Sequence, residues 1–394
     1  MKKILIFNAG SSSIKCQYFI GELSVASILI EEIGSKKGTN CTLWYANSQD
    51  THKIYISNYT EAINEIVSML MHSGVLPSIV DIDGIGHRVV HGGVDFISPT
   101  IITNRVIKSL EKLIPLAPLH NKANIEGIKI MNKQYPNIRQ VAIFDTAFHS
   151  KIPYYAYLYA IPYNLYEDFN IRKYGFHGIS HSFVSKECAN LLETKIENMN
   201  IISIHLGSGA SISAIRGGYS IDTSMGMTPL DGLIMGTRCG EIDPAIGLYI
   251  STETGKTIEE INDIYNNDSG LKGICGESDM RDIINSANIK GDRLCNIALD
   301  MYIYRIKKFI GSYAVALGRL DAIIFTGGVG ENSSVIREMV CEGLGSLLGI
   351  VIDNEKNSIK NQKIINKDNS KVKICVIPTN EELSMARDVS KLLN

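Results

Sequence analysis

Apolar residues in this chain come in blocks of four or five, each closed by a run of small or glycine-rich positions, and that alternation predicts most of the elements. Residues 4–7 read as a buried strand. Asn8-Ala9-Gly10-Ser11-Ser12-Ser13 form a turn, and 14–19 a second strand. The same unit returns later: an apolar strand over 201–204, a tight turn His205-Leu206-Gly207-Ser208-Gly209, and an alternating strand through Ile212 and Ile215. Setting Gly10-Ser11 over Gly207-Ser208 brings Ile4 onto Ile201 and Phe7 onto Ile204. A unit used once in each half points to a duplicated domain rather than a solenoid.

Between these hairpins, 25–56 alternate as short strands, and Ile63, Ile66, Val67 and Leu70 fall at helical spacing over 60–73. A strand ends near Gly86 to Gly93, a helix follows near 122–133, and a strand over 141–144 delivers Asp145. Residues 151–163 hold Pro- and Tyr-rich turns and read as a domain crossover. Thr257 and Glu260 form a capping box. Residues 292–317 read as one amphipathic helix with Leu294, Ile297, Met301, Phe309 and Tyr313 in its core. A strand over 322–325 runs into a third glycine turn, Thr326 to Asn332, and a helix over 333–348 whose N-terminus would favour an anion. A strand over 372–377 precedes a last helix ending near Leu393.

Composition narrows the class. A length of 394 residues favours two domains. Lys plus Arg (39) nearly balances Asp plus Glu (41), which argues against nucleic-acid partners and a polybasic membrane surface. No apolar run approaches a membrane span, and the N-terminal one, residues 4–7, is too short for a signal peptide. Eight cysteines without a C-x-x-C pair read as reduced thiols of a cytoplasmic protein.

The chemistry concentrates at the turns. Gly207 and Gly209 leave little side-chain bulk, so backbone N–H groups can approach phosphate oxygens. Arg238 lies between Gly236 and Gly240, and Arg is the side chain best suited to bidentate phosphoryl contact. A plain hairpin and a surface arginine are the alternative. Arg88 stands inside an apolar run and needs an anionic partner from the protein or a ligand. Asp145 at a strand end suits a ligand or metal, or caps a helix. His177 and His181, four apart, could hold zinc, but no third ligand stands at a family spacing. The glycine segments match neither the Walker A nor the dinucleotide fingerprint.

Nine segments carry a resemblance: NAGSSSIK (8–15), GHRVVHGG (86–93), APLHN (117–121), FDTAFH (144–149), YGFHGISH (174–181), HLGSGAS (205–211), TPLDGLIMGTRCGEIDP (228–244), GGVGEN (327–332) and PTNEEL (378–383). In this order, over essentially the whole chain, they resemble the acetate kinase (acetokinase) family. The resemblance implies an α/β fold of two duplicated actin-like ATPase (ribonuclease H-like) domains with the active site in the cleft between them. The domains would span 1–149, joined by the last helix 383–394, and 150–382. The implied activity is reversible transfer of the ATP γ-phosphoryl group to acetate, giving acetyl phosphate and ADP. Propionate or butyrate kinase and a pyrophosphate-dependent enzyme are the neighbouring activities. The retained Arg88, Asp145, His177, Arg238 and Glu381 disfavour a non-catalytic ATP-binding relative.

The resemblance also assigns residues. Asn8 and Glu381 look like ligands of Mg2+, or of Mn2+ in its place. Lys15 and the segment His205, Leu206, Gly207, Ser208 and Gly209 resemble the phosphate contacts. Asp279, Met280 and Arg281, with Gly328, Val329, Gly330, Glu331 and Asn332, resemble the adenosine pocket. Arg88, His120, Asp145, His177 and Arg238 resemble the catalytic residues, and Arg88, Val90, Leu119, Phe176 and Pro229 the acetate site. Family members are homodimers. Two departures stand out: Ser208 where the family usually has Asn, and Asp231 where it has Glu. Ser is shorter and lacks the amide donor, which bears on nucleotide contact.

Overall fold

The structure, a computed structural model, describes residues 1–10 and 12–394, and for Leu119 the backbone alone. Ser11 of the first turn and the Leu119 side chain of the expected acetate pocket therefore lie outside the described residues. The chain divides into two compact units, Met1–Phe148 with Asn380–Asn394, and His149–Thr379. The return to the first unit begins at Asn380, three residues before the helix segment expected from sequence, so Glu381 and Glu382 belong with Asn8 and Arg88.

The first unit is built on eight strands: β1 Lys3–Ala9, β2 Ser13–Ile20, β3 Leu23–Glu31, β4 Thr39–Tyr45, β5 Ser48–Ile54, β6 Gly84–Val89, β7 Thr100–Ile101 and β8 Gln140–Phe144. They lie in the order β5-β4-β3-β2-β1-β6-β8-β7. The second unit has five: β9 Asn200–Leu206, β10 Ala210–Arg216, β11 Tyr219–Thr223, β12 Ala322–Thr326 and β13 Lys373–Val376, in the order β11-β10-β9-β12-β13. The five-strand sequence β3-β2-β1-β6-β8 repeats in the second sheet. In each, an antiparallel meander is followed by two strands parallel to its first. The register repeats as well. Ile4 lies beside Gly84, and Ile201, its counterpart, beside Ala322.

Local chemistry explains the frame. β1 and β9 are isoleucine-rich and buried on both faces, which suits a central strand covered by helices. The helix Tyr59–His72 starts where the Asn58 side chain accepts from Glu61 N, and it buries Ile63, Ile66 and Leu70 against β1, β2 and β3. Thr257 and Glu260 form the expected capping box.

Two expectations are corrected. The long helix spans Arg293–Leu317, but its buried stripe is Cys295, Ala298, Leu299, Tyr302, Ile306, Ile310, Tyr313 and Leu317. Leu294 and Met301 are exposed, so the stripe is rotated by about one position from the expected one. Cys and Ala, small residues that periodicity undervalues, mark the true face. The third glycine segment is a short helix of its own, Gly327–Asn332, followed by Ser334–Cys341 and Gly345–Leu348. The Gly327 N–H donates to Glu331 Oε1 at 2.9 Å, so that helix start is closed by its own carboxylate.

Candidate active site

In the first unit the parallel strands β1, β6 and β8 end side by side and bring Asn8, Arg88 and Asp145 to one edge, where open α/β sheets place their ligands. The Arg88 guanidinium forks onto Asp145, with Nε donating to Oδ1 at 3.0 Å and Nη2 to Oδ2 at 2.5 Å. Its Nη1 donates to Asn8 Oδ1 at 3.2 Å, and Glu381 Oε2 lies 3.8 Å from Nε. The protein itself thus supplies the anion that Arg88 required. Three of the five N–H groups of a guanidinium are engaged by these hydrogen bonds, and two are left for a further anion.

Burial alone would depress the Arg88 guanidinium, but Asp145 and Glu381 raise it above its ordinary value. The Glu381 carboxyl is pushed up to about 7, first by burial, then by Asp145 and Glu382, with Arg88 and Lys15 opposing. Glu382 is held by Lys15 at 2.6 Å. Three carboxylates against two cations leave this corner short of positive charge.

That shortage is the test of a divalent site. Asn8 and Glu381 offer hard oxygen donors, which suit magnesium, and magnesium needs few protein ligands because it keeps water and phosphate oxygens. No cluster of three or more His, Cys, Asp or Glu able to hold a metal occurs among the described residues. The residues present fit a cation shared with a phosphate ligand, and not a site closed by protein.

Asn124 fastens the corner. Its Nδ2 donates to Ala9 O at 2.7 Å, and its Oδ1 accepts from Val90 N at 3.1 Å. Val90 is buried but stands one residue past the end of β6, so strand alternation does not carry its side chain to the Arg88 side. His120 sits in the first turn of the helix Pro118–Gln134.

In the second unit the corresponding hairpin joins β9 to β10, and Gly207 N donates to Gly209 O at 3.0 Å. Gly209 has a steric reason to be glycine. A Cβ there would lie 3.2 Å from His177 Cε1, 3.3 Å from His177 Nε2 and 3.6 Å from Arg238 Nη1. The imidazole and the guanidinium therefore converge on the turn. Arg238 donates from Nη1 to Pro229 O at 3.3 Å. Burial alone lowers its pKa, and among the described residues no carboxylate pairs with it. A partly buried guanidinium without a carboxylate, beside glycines, is arranged for an anion from outside the chain.

His177 adopts a left-handed conformation (φ 54°) and caps the helix Gly178–Leu191. Non-glycine residues rarely adopt that region, and such backbone collects at functional sites. The zinc alternative fails at His181. Its Nδ1 pairs with Ser203 Oγ at 2.9 Å and its Nε2 with Ser211 Oγ at 2.8 Å, so both ring nitrogens are taken.

Beside the hairpin lies a cavity of about 630 Å³, within the usual range for a cofactor-sized ligand. Gly207, Ser208, Asp279, Met280, Arg281, Gly328, Val329 and Asn332 are among the residues that line it. Asp279 caps the helix Met280–Lys290, and the Arg281 guanidinium beside it holds its carboxyl down to about 2. Gly330 and Glu331 are not in the lining. Glu331 turns back to Gly327 N and Thr379 N. His205, Leu206 and Gly209 sit behind the lining as part of the hairpin. Phe176 is buried, its carbonyl accepting from His149 Nε2 at 3.0 Å. Sequence reasoning passed over Ser278, Tyr302 and Ser333 in the lining, and Asn124 and Glu382 in the first unit. Of these, only Glu382 lies in a quoted segment, PTNEEL; nothing in the pattern marks the others.

A sheet used twice, with an arginine and glycine turn beside a nucleotide-sized cavity, describes a phosphotransferase built from duplicated actin-like, ribonuclease H-like ATPase domains. The chain belongs to the acetokinase family, whose family model matches residues 3–387. It is 48% identical over 394 residues to the acetate kinase of Sulfurovum sp., covering 100% of this chain and 99% of that one. Among solved structures it resembles Porphyromonas gingivalis acetate kinase (TM-score 0.95, 39% identity, all of both chains). It also resembles a propionate kinase from Francisella tularensis (TM-score 0.93, 42% identity, 99% of this chain and 100% of that one).

Proposed function

We propose that the chain catalyses reversible transfer of the terminal phosphoryl group of ATP to acetate, forming acetyl phosphate and ADP. The observation that carries the mechanism is Arg238, a guanidinium without a carboxylate, converging with His177 on the glycine turn. A cavity of about 630 Å³ lined by Gly328 and Met280 accommodates a nucleoside and favours ATP over pyrophosphate.

Acetate is already ionised at neutral pH, so its attack on phosphorus needs no general base. One carboxylate oxygen forms the new P–O bond while the bond to the β–γ bridging oxygen breaks, and ADP leaves with that electron pair. The protein's task is to bring two anions together and to meet the charge on the transferring group. Arg88 holds the acceptor carboxylate with the two N–H groups it has left. Asp145 orients Arg88 through the bidentate pair. Arg238 and His177 donate to the equatorial oxygens of the transferring group. Lys15 and the 205–209 hairpin hold the donor phosphates. Val90, Leu119, Phe176 and Pro229 are assigned to the acetate methyl, and His120 to the acceptor side. Asn8 and Glu381 would hold magnesium, which when bound neutralises phosphate charge.

Each compact unit is read as one of the two duplicated domains. A homodimer is inferred from Leu294, Met301 and Tyr304, exposed along one face of the helix Arg293–Leu317. No helix among the described residues is long and apolar enough to cross a membrane, and all eight cysteines are free thiols, which supports a cytoplasmic location.

The similarity to a propionate kinase sustains one second reading, in which propionate is the preferred acid. Hydroxylamine trapping of the acyl phosphate decides it, run with acetate, propionate and butyrate against ATP and pyrophosphate. The highest kcat/KM is expected for acetate with ATP. A preference for propionate would keep the acyl-kinase class and replace the substrate.

A further inference from the structure

Arg337, on the helix Ser334–Cys341, is buried, and among the described residues no carboxylate pairs with it. Its Nε donates to Asn357 Oδ1 at 2.7 Å and its Nη2 to Asn357 O at 2.9 Å. Its Nη1 donates to Gly330 O at 3.0 Å and to Glu331 O at 2.8 Å. Four of the five guanidinium N–H groups are thus engaged, and all four acceptors are carbonyl oxygens. Arg238 keeps its charge for an anion from outside the chain; Arg337 spends its charge on the chain itself. Two of its carbonyls lie near the C-terminal end of the helix Gly327–Asn332, where backbone oxygens lack partners within the helix and a cation is favourable. Asn357, also buried, donates from Nδ2 to Ser334 O at 2.9 Å, which fixes it to the start of the helix that carries Arg337.

The helix Gly327–Asn332 has little reason of its own to form. Three of its six residues are glycine, the poorest helix former after proline. Isolated helices shorter than about 12–15 residues are marginal in water even with better sequences. Yet the glycines have their own reasons to be there. Gly327 has φ 77°, and a Cβ on it would lie 2.6 Å from Leu206 O. A Cβ on Gly328, which lines the cavity of about 630 Å³, would meet no atom within 4 Å. The conformation is therefore held from outside the backbone ladder, at both ends. At the start, Glu331 Oε1 accepts from Gly327 N at 2.9 Å and from Thr379 N at 3.1 Å. At the other end stands Arg337.

We propose that Arg337 is a positioning residue for the nucleoside end of the cavity: it holds the Gly330 and Glu331 carbonyls, keeps the Gly327–Asn332 segment helical, and so sets Gly328, Val329 and Asn332 in place before a ligand arrives. Arg337 is not itself in the cavity lining. The consequence follows from linkage. Without the clamp the segment is helical for only a fraction of the time. The apparent dissociation constant of a ligand that needs the helix rises by the inverse of that fraction. Binding restores the helix, so turnover at saturating ligand holds. A residue that merely filled the core would behave differently: its loss lowers the amount of folded protein and leaves the affinity of what remains.

The nucleoside as ligand rests on the ATP reading above; the clamp does not. The first test is therefore hydrogen exchange on the ligand-free protein, comparing wild type with Arg337→Met and Arg337→Lys. Lysine keeps the charge but not the fork. The expected result is faster exchange over residues 327–333, larger for Met than for Lys, with β9 and β12 unchanged. Unchanged exchange over 327–333 overturns the proposal, and so does an equal rise in β9 and β12. Should Arg337→Met fail to fold, Arg337→Lys and Asn357→Ala, which removes the Nε acceptor, carry the same test. The second test is calorimetric titration with ADP, together with steady-state rates. If the segment is helical about a tenth of the time in the variant, the Kd for ADP and the KM for ATP rise about tenfold. The kcat at saturating ATP and the KM for acetate are expected to change little. Wild-type ADP affinity in a variant whose segment exchanges faster overturns the positioning role, as does an equal rise in the KM for acetate. If wild type itself binds no ADP, the ATP reading fails, and hydrogen exchange alone still decides the clamp.

Discussion

The two units place an arginine at equivalent strand-end edges and treat it in opposite ways. Arg88, at the end of β6, is held by a buried carboxylate at 2.5 and 3.0 Å. Arg238, beside the β9–β10 turn, is held by a carbonyl and a thioether and by no carboxylate. Arg88 is a fixed group, oriented before any ligand arrives, with two N–H groups in reserve. Arg238 has its charge in reserve. The difference suggests a division of labour. A ground-state carboxylate with one negative charge needs orientation more than it needs charge, whereas a transferring phosphoryl group needs charge where it develops.

Removing each arginine separates these roles. Arg238→Ala should lower kcat by on the order of 10²–10³, the usual cost of losing one preorganised donor at a developing charge. The KM for ATP should change far less, and thermal stability should hold, because no buried carboxylate is orphaned. Arg88→Ala should also cost stability, by about 2–4 kcal/mol, because Asp145 is left buried without its partner. Denaturant unfolding of both variants reads the contrast. Equal losses of stability would mean that the two sites are built alike after all.

Glu381 sharpens the comparison from the side of the first unit. Its carboxyl is raised from 4.5 to about 7, so the folded state favours the protonated form. The stability this contributes is fully present below about pH 4.5 and is lost as pH rises through about 7. Glu381→Gln should therefore stabilise the magnesium-free protein at pH 8, by on the order of 1–2 kcal/mol, and change it little at pH 4.5. The same variant should raise the magnesium concentration for half-maximal rate. Melting temperatures at the two pH values test the charge, and a magnesium titration tests the ligand. An unchanged magnesium dependence would leave Glu381 as a structural neighbour of Arg88.

The duplication was legible because β1 and β9 are both isoleucine-rich central strands with small-residue turns at the same distance. The candidate site residues stand out as motifs, because glycines, arginines and histidines in irregular segments have few other reasons to cluster. Pairings were not legible. Whether Arg88 met a ligand or Asp145 depended on where β8 ends, and no local pattern says so. The expected stripe of the long helix is off by about one position because Cys295 and Ala298 carry little hydrophobic signal while Leu294 and Met301, both exposed, carry much; Tyr313 is buried as expected. The glycine segment at 327–332 was read as a turn since glycine disfavours helix. What overrode propensity is Glu331, which closes the helix start itself. The pairing of Ser211 with His177 and His181 is invisible in the sequence for the same reason as that of Asp145: serines on a strand look alike until the partner strand and helix are in place.

Val90 is the next test, at the scale of one methylene. Val90 stands just past Val89, the last residue of β6, so strand alternation does not set its direction. Its burial and its tether through Asn124 keep it near the strand end that carries Arg88. One methylene in an apolar pocket discriminates by about 1–3 kcal/mol. Val90→Ala should lower the KM for propionate and leave that for ATP nearly unchanged. An unaltered ratio of kcat/KM for acetate and propionate would move the selectivity to Phe176 or Pro229.

The smallest expected effect lies in the second hairpin. Ser208 is exposed at its tip, lines the cavity of about 630 Å³ and stands where the family resemblance leads one to expect Asn. Ser208→Asn adds an amide donor to a turn that already has the backbone to approach phosphate. One hydrogen bond contributes about 0.5–1.5 kcal/mol net, so ATP affinity should rise between about two- and tenfold. Calorimetric titration of both proteins with ATP measures it directly. Unchanged affinity would mean that something already fills the place of the amide. Ser211, the nearest hydroxyl along β10, is poorly suited to that, since its oxygen lies between His177 and His181 at 2.9 and 2.8 Å. The remaining substitutes are the Gly209 N–H, Ser278 across the cavity, or a bridging water. The double variant Ser208→Asn with Ser278→Ala separates these. If Ser278 is the substitute, the asparagine should restore what the alanine removes, and the hairpin of this chain would have moved its donor rather than lost it.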